Sequence, residues 1–229
     1  MHVITIQKMK KTIDFLAALA ANNNKPWFDG HKSLYMEAKA EWDAFAMRFL
    51  AGVEQFDQRV SGLQLKDITY RIYRDLRFTQ DKRPYKWHFG TYVCPGGKKS
   101  GMGGYYIHVE PATDTYLLCG GLYNPDKATL KSIREEVMLE PEAFHAALAP
   151  CPDFLLPWET ALRKVPRDYS PEDMHSEYYR LRSFELCKRI TKEEVLSEDF
   201  LTNALSALAR TQPFTEILNR CFEYAHSED

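Results

Sequence analysis

The feature that most restricts the fold is a change of hydrophobic period. Over residues 33–56, Tyr35, Ala38, Trp42, Phe45, Phe49, Gly52 and Phe56 recur at steps of three and four, one stripe along a long helix. From Ile68 onward the period is two. Ile68, Tyr70 and Ile72 alternate with Thr69, Arg71 and Tyr73. Trp87, Phe89, Thr91 and Val93 then alternate with His88, Gly90, Tyr92 and Cys94, and Tyr105, Ile107 and Val109 with Tyr106, His108 and Glu110. A further run covers 115–123. The glycine-rich segment 95–104 and Thr113-Asp114 both read as hairpin turns, and strands joined by short turns pair antiparallel. Phe184, Leu186 and Ile190 add one more strand. The expectation is an α+β fold, a mostly antiparallel meander of about five strands packed against helices from both ends of the chain.

The flanking elements follow from their caps and breaks. Thr12 is placed to cap a first helix that ends at Asn22-Asn23-Asn24, and Pro26-Trp27-Phe28 reads as an aromatic staple between helices. Asn124-Pro125 opens another helix with Leu130, Ile133 and Val137 inward. Repeated prolines over 141–171 leave one short helix near 142–148, and Ser170-Pro171 restarts a helix. Thr191 and Glu194 have capping-box spacing, Ser197 caps again, and two closing helices divide near Pro213. Residues 1–229 read as one domain, with a helical hairpin over about 10–57, the meander over about 66–123 and a helical part over about 125–226.

Bulk properties narrow the class. With 229 residues, net charge −2 and pI ≈ 6.4, the chain lacks the strongly basic character of a dedicated nucleic-acid binder. Lys8, Lys10 and Lys11 before an apolar run imitate a leader, but Asp14 interrupts it and Ile13, Leu16, Ala17 and Ala20 have helical spacing. No stretch is apolar and long enough to span a bilayer. The five cysteines are widely spaced without a CxxC pair and read as reduced thiols of a cytoplasmic protein.

Chemistry concentrates in residues 66–88, KDITYRIYRDLRFTQDKRPYKWH, which carries net +4 in a chain of net −2. Guanidinium forks beside Tyr70, Tyr73, Phe78 and Tyr85 suit bidentate recognition of a carboxylate or phosphate. Arg71, Arg74, Arg77, Lys82, Tyr85 and Lys86 are the candidate ligand-binding residues. Asp75, His88 and His108 are candidate acid–base groups, with no catalytic role assigned. If the strands align, Arg71, Tyr73, Asp75, His88, Tyr106, His108 and Glu110 meet over one sheet face. The same Arg/Asp alternation equally describes an internal ion-pair network. Segment 95–104 has Gly, Lys and Ser in the wrong order for a phosphate loop, and no GxSxG or HExxH occurs. A site from His88, His108 and Glu110 is conceivable on strand geometry, but the histidines lack close ligand spacing, so neither metal nor cofactor is assigned.

Arg71-x-x-Arg74-Asp75-x-Arg77-Phe78, then Asp81-Lys82-x-Pro84-Tyr85-Lys86, with Asn22-Asn23 and Trp27-Phe28 upstream, resembles the signature of the bacterial family known as domain of unknown function 2461. The resemblance runs from the first helix to Pro213-Phe214. It implies a soluble bacterial protein and carries no established activity, ligand or cofactor. The residues themselves point to a small anionic ligand, with an enzyme as one form of that function. Two alternatives stand beside it: a non-catalytic protein- or nucleic-acid-interaction module using the same basic face, and a purely structural ion-pair network. No membrane partner is expected, and oligomeric state stays open.

Overall fold

In a computed structural model of the chain, residues 9–77 and 79–227 are described; Lys8 and Phe78 of the sequence reading lie outside the described residues. Three helices open the chain: α1 (Lys10–Ala21), α2 (Lys25–Gly30) and α3 (Lys32–Val53). The expected stripe on α3 is the buried one, with Ala38, Trp42, Phe45 and Phe49 in the core and Gly52 admitting Leu205. Thr12 lies inside α1 and is not its cap. The Glu41 carboxylate on α3 instead accepts a hydrogen bond from the Thr12 backbone N–H at 2.7 Å, a tertiary contact that spacing along α1 does not reveal.

After the short α4 (Leu65–Ile68) come β1 (Phe89–Val93), β2 (Gly104–Glu110) and β3 (Thr115–Leu122). Next are α5 (Lys127–Leu139) and α6 (Pro141–Ala146), then β4 (Phe184–Arg189). The chain closes with α7 (Lys192–Leu196), α8 (Phe200–Ala209) and α9 (Gln212–Ala225), Pro213 standing in the first turn of α9. The sheet is an antiparallel meander of order β1-β2-β3-β4. Its inner face, with Thr91, Val93, Tyr105, Ile107, Val109, Tyr116, Leu118, Phe184 and Leu186, is buried beneath the helices.

The sheet has one strand fewer than expected, because residues 68–73 do not form one. A capping box between Gln64 and Asp67 makes Ile68 the end of a helix, and beyond it Thr69 forms only an isolated bridge to Thr91. The chain then doubles back on itself, with one bridge between Tyr73 and Tyr85. At the tip, the Asp75 and Asp81 side chains accept the backbone N–H of Arg77 and Arg83, closing turns that end the extended register.

Other elements shift for similar local reasons. Asp126 caps α5 by accepting the Thr129 N–H at 2.8 Å, displacing the expected Asn124 cap, and Asn124 adopts φ 49. Past Pro171 the chain forms turns and a 3-10 segment at Ser176–Arg180, since Ser170 closes a local turn through the Glu172 N–H. Ser197 bonds back to the Glu194 carbonyl and ends α7 instead of capping α8. The capping box at Thr191 forms in both directions. Thr191→Ala is expected to cost about 1 kcal/mol in urea unfolding with an unchanged m-value.

The cysteine expectation is corrected by register. Cys119 on β3 and Cys187 on β4 face each other directly and form a disulfide, Cα–Cα 4.2 Å, across a sequence separation of 68. Cys94, Cys151 and Cys221 are free and buried. Burial pushes the Cys94 thiol up to about 11, which leaves it a poor nucleophile. Among the described residues, no helix is long and apolar enough to cross a membrane.

Candidate functional site

The basic excursion 70–88 has an inner and an outer part. Inside, the Asn23 amide clamps the backbone of Tyr85, donating to its carbonyl at 2.9 Å and accepting its N–H at 3.1 Å. Tyr85 is buried and stacks on Phe28 with ring centroids 4.1 Å apart, so the expected staple holds the excursion to the helices. At the tip, Arg77 pairs with Asp75 at 2.6 Å and Arg83 with Asp81 at 2.7 Å. Arg74 also reaches Asp81, at 2.9 Å, and donates to the Arg83 carbonyl. The Arg83 hydrogen bonds, followed by Arg74, hold the Asp81 carboxyl well below the usual range. Lys82 donates to the Leu76 carbonyl. Arg83 lies 3.9 Å and Arg74 5.2 Å over the Trp87 ring.

Arg71 is exposed and makes no ion pair among the described residues. With Lys86 and His88 it borders a hollow of only ≈ 20 Å³, room for about one water. Asp75 stands apart from the histidines, bonded to Arg77 at the exposed tip.

The larger space lies on the other side of Tyr70, over the sheet face that the helices do not cover. Register lines up Tyr92, Tyr106, Cys119 and Cys187 in one row, and Gly104, Gly121 and Glu185 in the next. The glycines leave space beside Glu185. At Gly121, φ is 124 and a Cβ would come 2.2 Å from the Phe184 carbonyl oxygen, so no other residue fits. The result is a cavity of ≈ 480 Å³, walled by Tyr70, Tyr92, Tyr106, Tyr123, Met102 and Leu117, with Lys98 at one side and Glu185 and the disulfide within its lining. That volume is in the range of small-molecule sites.

Its polar groups are few. Segment 95–104, a hairpin turn as expected, is pinned in place: the Lys98 N–H bonds the Asp67 carbonyl, Tyr92 donates to the Met102 carbonyl at 2.8 Å, and Asn219 holds Gly103 through both backbone groups. Lys98 donates its ammonium to the Lys66 carbonyl and lies 5.8 Å from the Tyr70 ring centroid; desolvation lowers its pKa. Glu185 Oε2 is buried without a hydrogen-bond partner among the described residues, and burial raises the carboxyl to about 7. Near neutral pH this group both holds and releases a proton.

Beside the cavity a polar chain runs along β2. The Tyr106 hydroxyl lies 2.9 Å from His108 Nδ1, and His108 Nε2 lies 3.2 Å from Glu110 Oε2. Gly90 makes room for it, since a Cβ there would fall 2.3 Å from the Tyr106 hydroxyl. His88, immediately before β1, approaches the same carboxylate oxygen at 3.6 Å. Burial pushes His88 down to about 4, with His108 adding to it, and burial likewise lowers His108. Burial opposes the Glu110 charge, but hydrogen bonds from Thr113, Trp87 and His108 outweigh it and keep the pKa below the ordinary value. Of the residues expected to share this face, His88, Tyr106, His108 and Glu110 come together.

Sequence reading missed Glu185, Lys98, Tyr92 and the glycine row as site residues. Alternation on β3 and β4 contained the signal, because it assigns Cys119, Glu185 and Cys187 to the non-core face, but the pairing that joins them is not local.

These features define an α+β protein with a helix-covered sheet whose outer face carries a tyrosine-walled cavity. The family model described as conserved hypothetical protein (DUF2461) matches residues 11–216, nearly the whole chain. The chain belongs to that family. No curated protein and no solved structure matches it.

Proposed function

We propose that this chain binds a small anionic ligand in the outer-face cavity, the apolar part of the ligand lying between the tyrosines and its carboxylate or phosphate reaching Lys98. The observation that carries the reading is that a partly buried ammonium and a buried carboxyl oxygen without a hydrogen-bond partner among the described residues line one cavity of ≈ 480 Å³. Among the described residues the Lys98 ammonium forms no salt bridge and bonds a backbone carbonyl, with Asp67 acting on it from further off, so an anion gains Coulomb attraction there. Glu185, when protonated, donates a hydrogen bond to the ligand and can exchange that proton, which makes acid–base catalysis one form of the function. Arg71 and Lys86 stand on the far side of Tyr70 and favour approach of an anion through their field. The proposal places the protein in the cytoplasm, where the thiol pool keeps the Cys119 and Cys187 pair reduced.

The second reading, an architectural role for the arginine motif, is favoured by one set of contacts: Arg74, Arg77 and Arg83 each face a carboxylate of the same excursion. Both readings hold together if the motif builds the wall that Tyr70 contributes.

A thermal-shift screen of aromatic carboxylates and sugar phosphates tests the binding reading. A ligand that raises the melting temperature of the wild type is expected to lose its effect in Leu117→Trp, which fills the cavity, and to weaken at least tenfold in Lys98→Met. Equal shifts in all three proteins place the binding elsewhere and end the proposal.

A further inference from the structure

We infer that His88, His108 and Glu110 form a binding site for a divalent transition metal of the zinc, cobalt and iron(II) kind. Neither the family description nor the ligand reading above includes it, and it stands independently of that reading. The ligand atoms of these three side chains lie within 4.8 Å of one another, the one such group among the described residues. Tetrahedral coordination with bonds of roughly 2.0–2.1 Å separates ligand atoms by about 3.3–3.4 Å. Glu110 Oε2 stands 3.2 Å from His108 Nε2 and 3.6 Å from His88 Nδ1, on either side of that value. The widest separation in the set is 4.8 Å, so closing it requires rotation of His88, the most exposed of the three at 32%.

The surroundings are built as supports of such a site are. Glu110 Oε1 accepts hydrogen bonds from Trp87 Nε1 at 3.1 Å and Thr113 Oγ1 at 2.8 Å, which fixes the carboxylate and turns Oε2 toward the imidazoles. Tyr106 lies against His108 Nδ1 at 2.9 Å; with a metal on Nε2 the Nδ1–H donates to that hydroxyl, the outer contact that orients a ligating histidine. Two imidazoles and one carboxylate with open positions suit zinc, cobalt or iron(II) and exclude magnesium and calcium, which require oxygen ligands. Arg74 on the neighbouring excursion is neutralised by Asp81, which makes the field at His88 less repulsive than the motif's net charge suggests, while Arg71 and Lys86 line the same hollow as His88 and keep part of that repulsion.

The test is titration of tag-free, chelator-treated full chain with cobalt(II) alone, followed by visible absorption and competition with zinc(II). One equivalent is expected to bind, to be displaced by zinc(II) and to be indifferent to magnesium(II). Glu110→Gln keeps an acceptor for Trp87 and Thr113 and is expected to weaken cobalt binding about 100-fold or more, with the metal-free melting temperature nearly unchanged. His88→Gln, at the exposed ligand, is expected to do the same, and Trp87→Phe to weaken binding about tenfold. Absence of stoichiometric binding overturns the assignment, as does equal binding in the wild type, Glu110→Gln and His88→Gln. Loss of binding only in His145→Gln, which would move the metal to the stacked His145–His175 pair, overturns it too.

Discussion

Replacing Glu185 with glutamine is expected to remove the fall in stability that this carboxyl contributes between about pH 4.5 and pH 7, leaving the opposite-sign contribution of the buried His88, and to stabilise the chain above it. Glu185 is a carboxyl raised from 4.5 to about 7 by burial, so between these values the folded chain keeps a proton that the unfolded chain has released. Stability contributed in this way is complete below the unfolded value, falls as pH rises through the folded value and then levels off. Full conversion of the shift corresponds to about 3 kcal/mol, and partial solvent access reduces it to about 1–2 kcal/mol. For a chain of this length that is roughly 5 °C in melting temperature. Glutamine carries no such titration. Melting curves of both proteins from pH 5 to pH 8 check it: the difference should grow with pH and saturate near pH 8, and parallel curves would show that Glu185 is solvated. The sign carries over to ligand binding, because an anion beside Lys98 favours the protonated acid, so affinity should fall as pH rises through about 7.

The arginines of the motif are expected to separate into two groups by melting temperature. Arg74→Met should lower it by roughly 5 °C, since Arg74 is 19% exposed, bonds both Asp81 and the Arg83 carbonyl and packs over Trp87. Arg77→Met, at a side chain 76% exposed, should shift it by no more than about 1 °C. Arg71→Met belongs with Arg77 in stability but should reduce the salt dependence of anion binding, because its charge faces the small hollow beside Tyr70 without an ion pair among the described residues. Equal losses at Arg71 and Arg74 would instead mark the whole motif as architectural.

The parts of the fold that depend on period were legible in the sequence. The α3 stripe, the three strands around β2, and β4 each have neighbours that agree with their pattern. What period cannot show is who caps or pairs with whom. Glu41 reaches Thr12 from another helix, and Asp75 and Asp81 fold 68–88 back on itself where alternation alone reads a strand. The site divides the same way. His88, Tyr106, His108 and Glu110 come together because β1 and β2 are consecutive, so the hairpin fixes their register. Glu185 and Cys187 join them only through the β3–β4 pairing, whose strands are separated by two helices and a long irregular segment. The charge cluster drew attention to the tip of the excursion, where short-range aspartates satisfy the guanidiniums. The cavity lies behind its base, where Tyr70 faces glycines that carry no chemical signal of their own.

A crystal structure of the full chain soaked with the best thermal-shift ligand is the most direct measurement. Ordered ligand between Tyr92, Tyr106 and Leu117, with its anionic group within hydrogen-bond distance of Lys98 Nζ, is the predicted result. Ligand bound only to Arg71, Arg77 or Arg83 at the excursion, with Glu185 covered by collapsed side chains, would contradict the account.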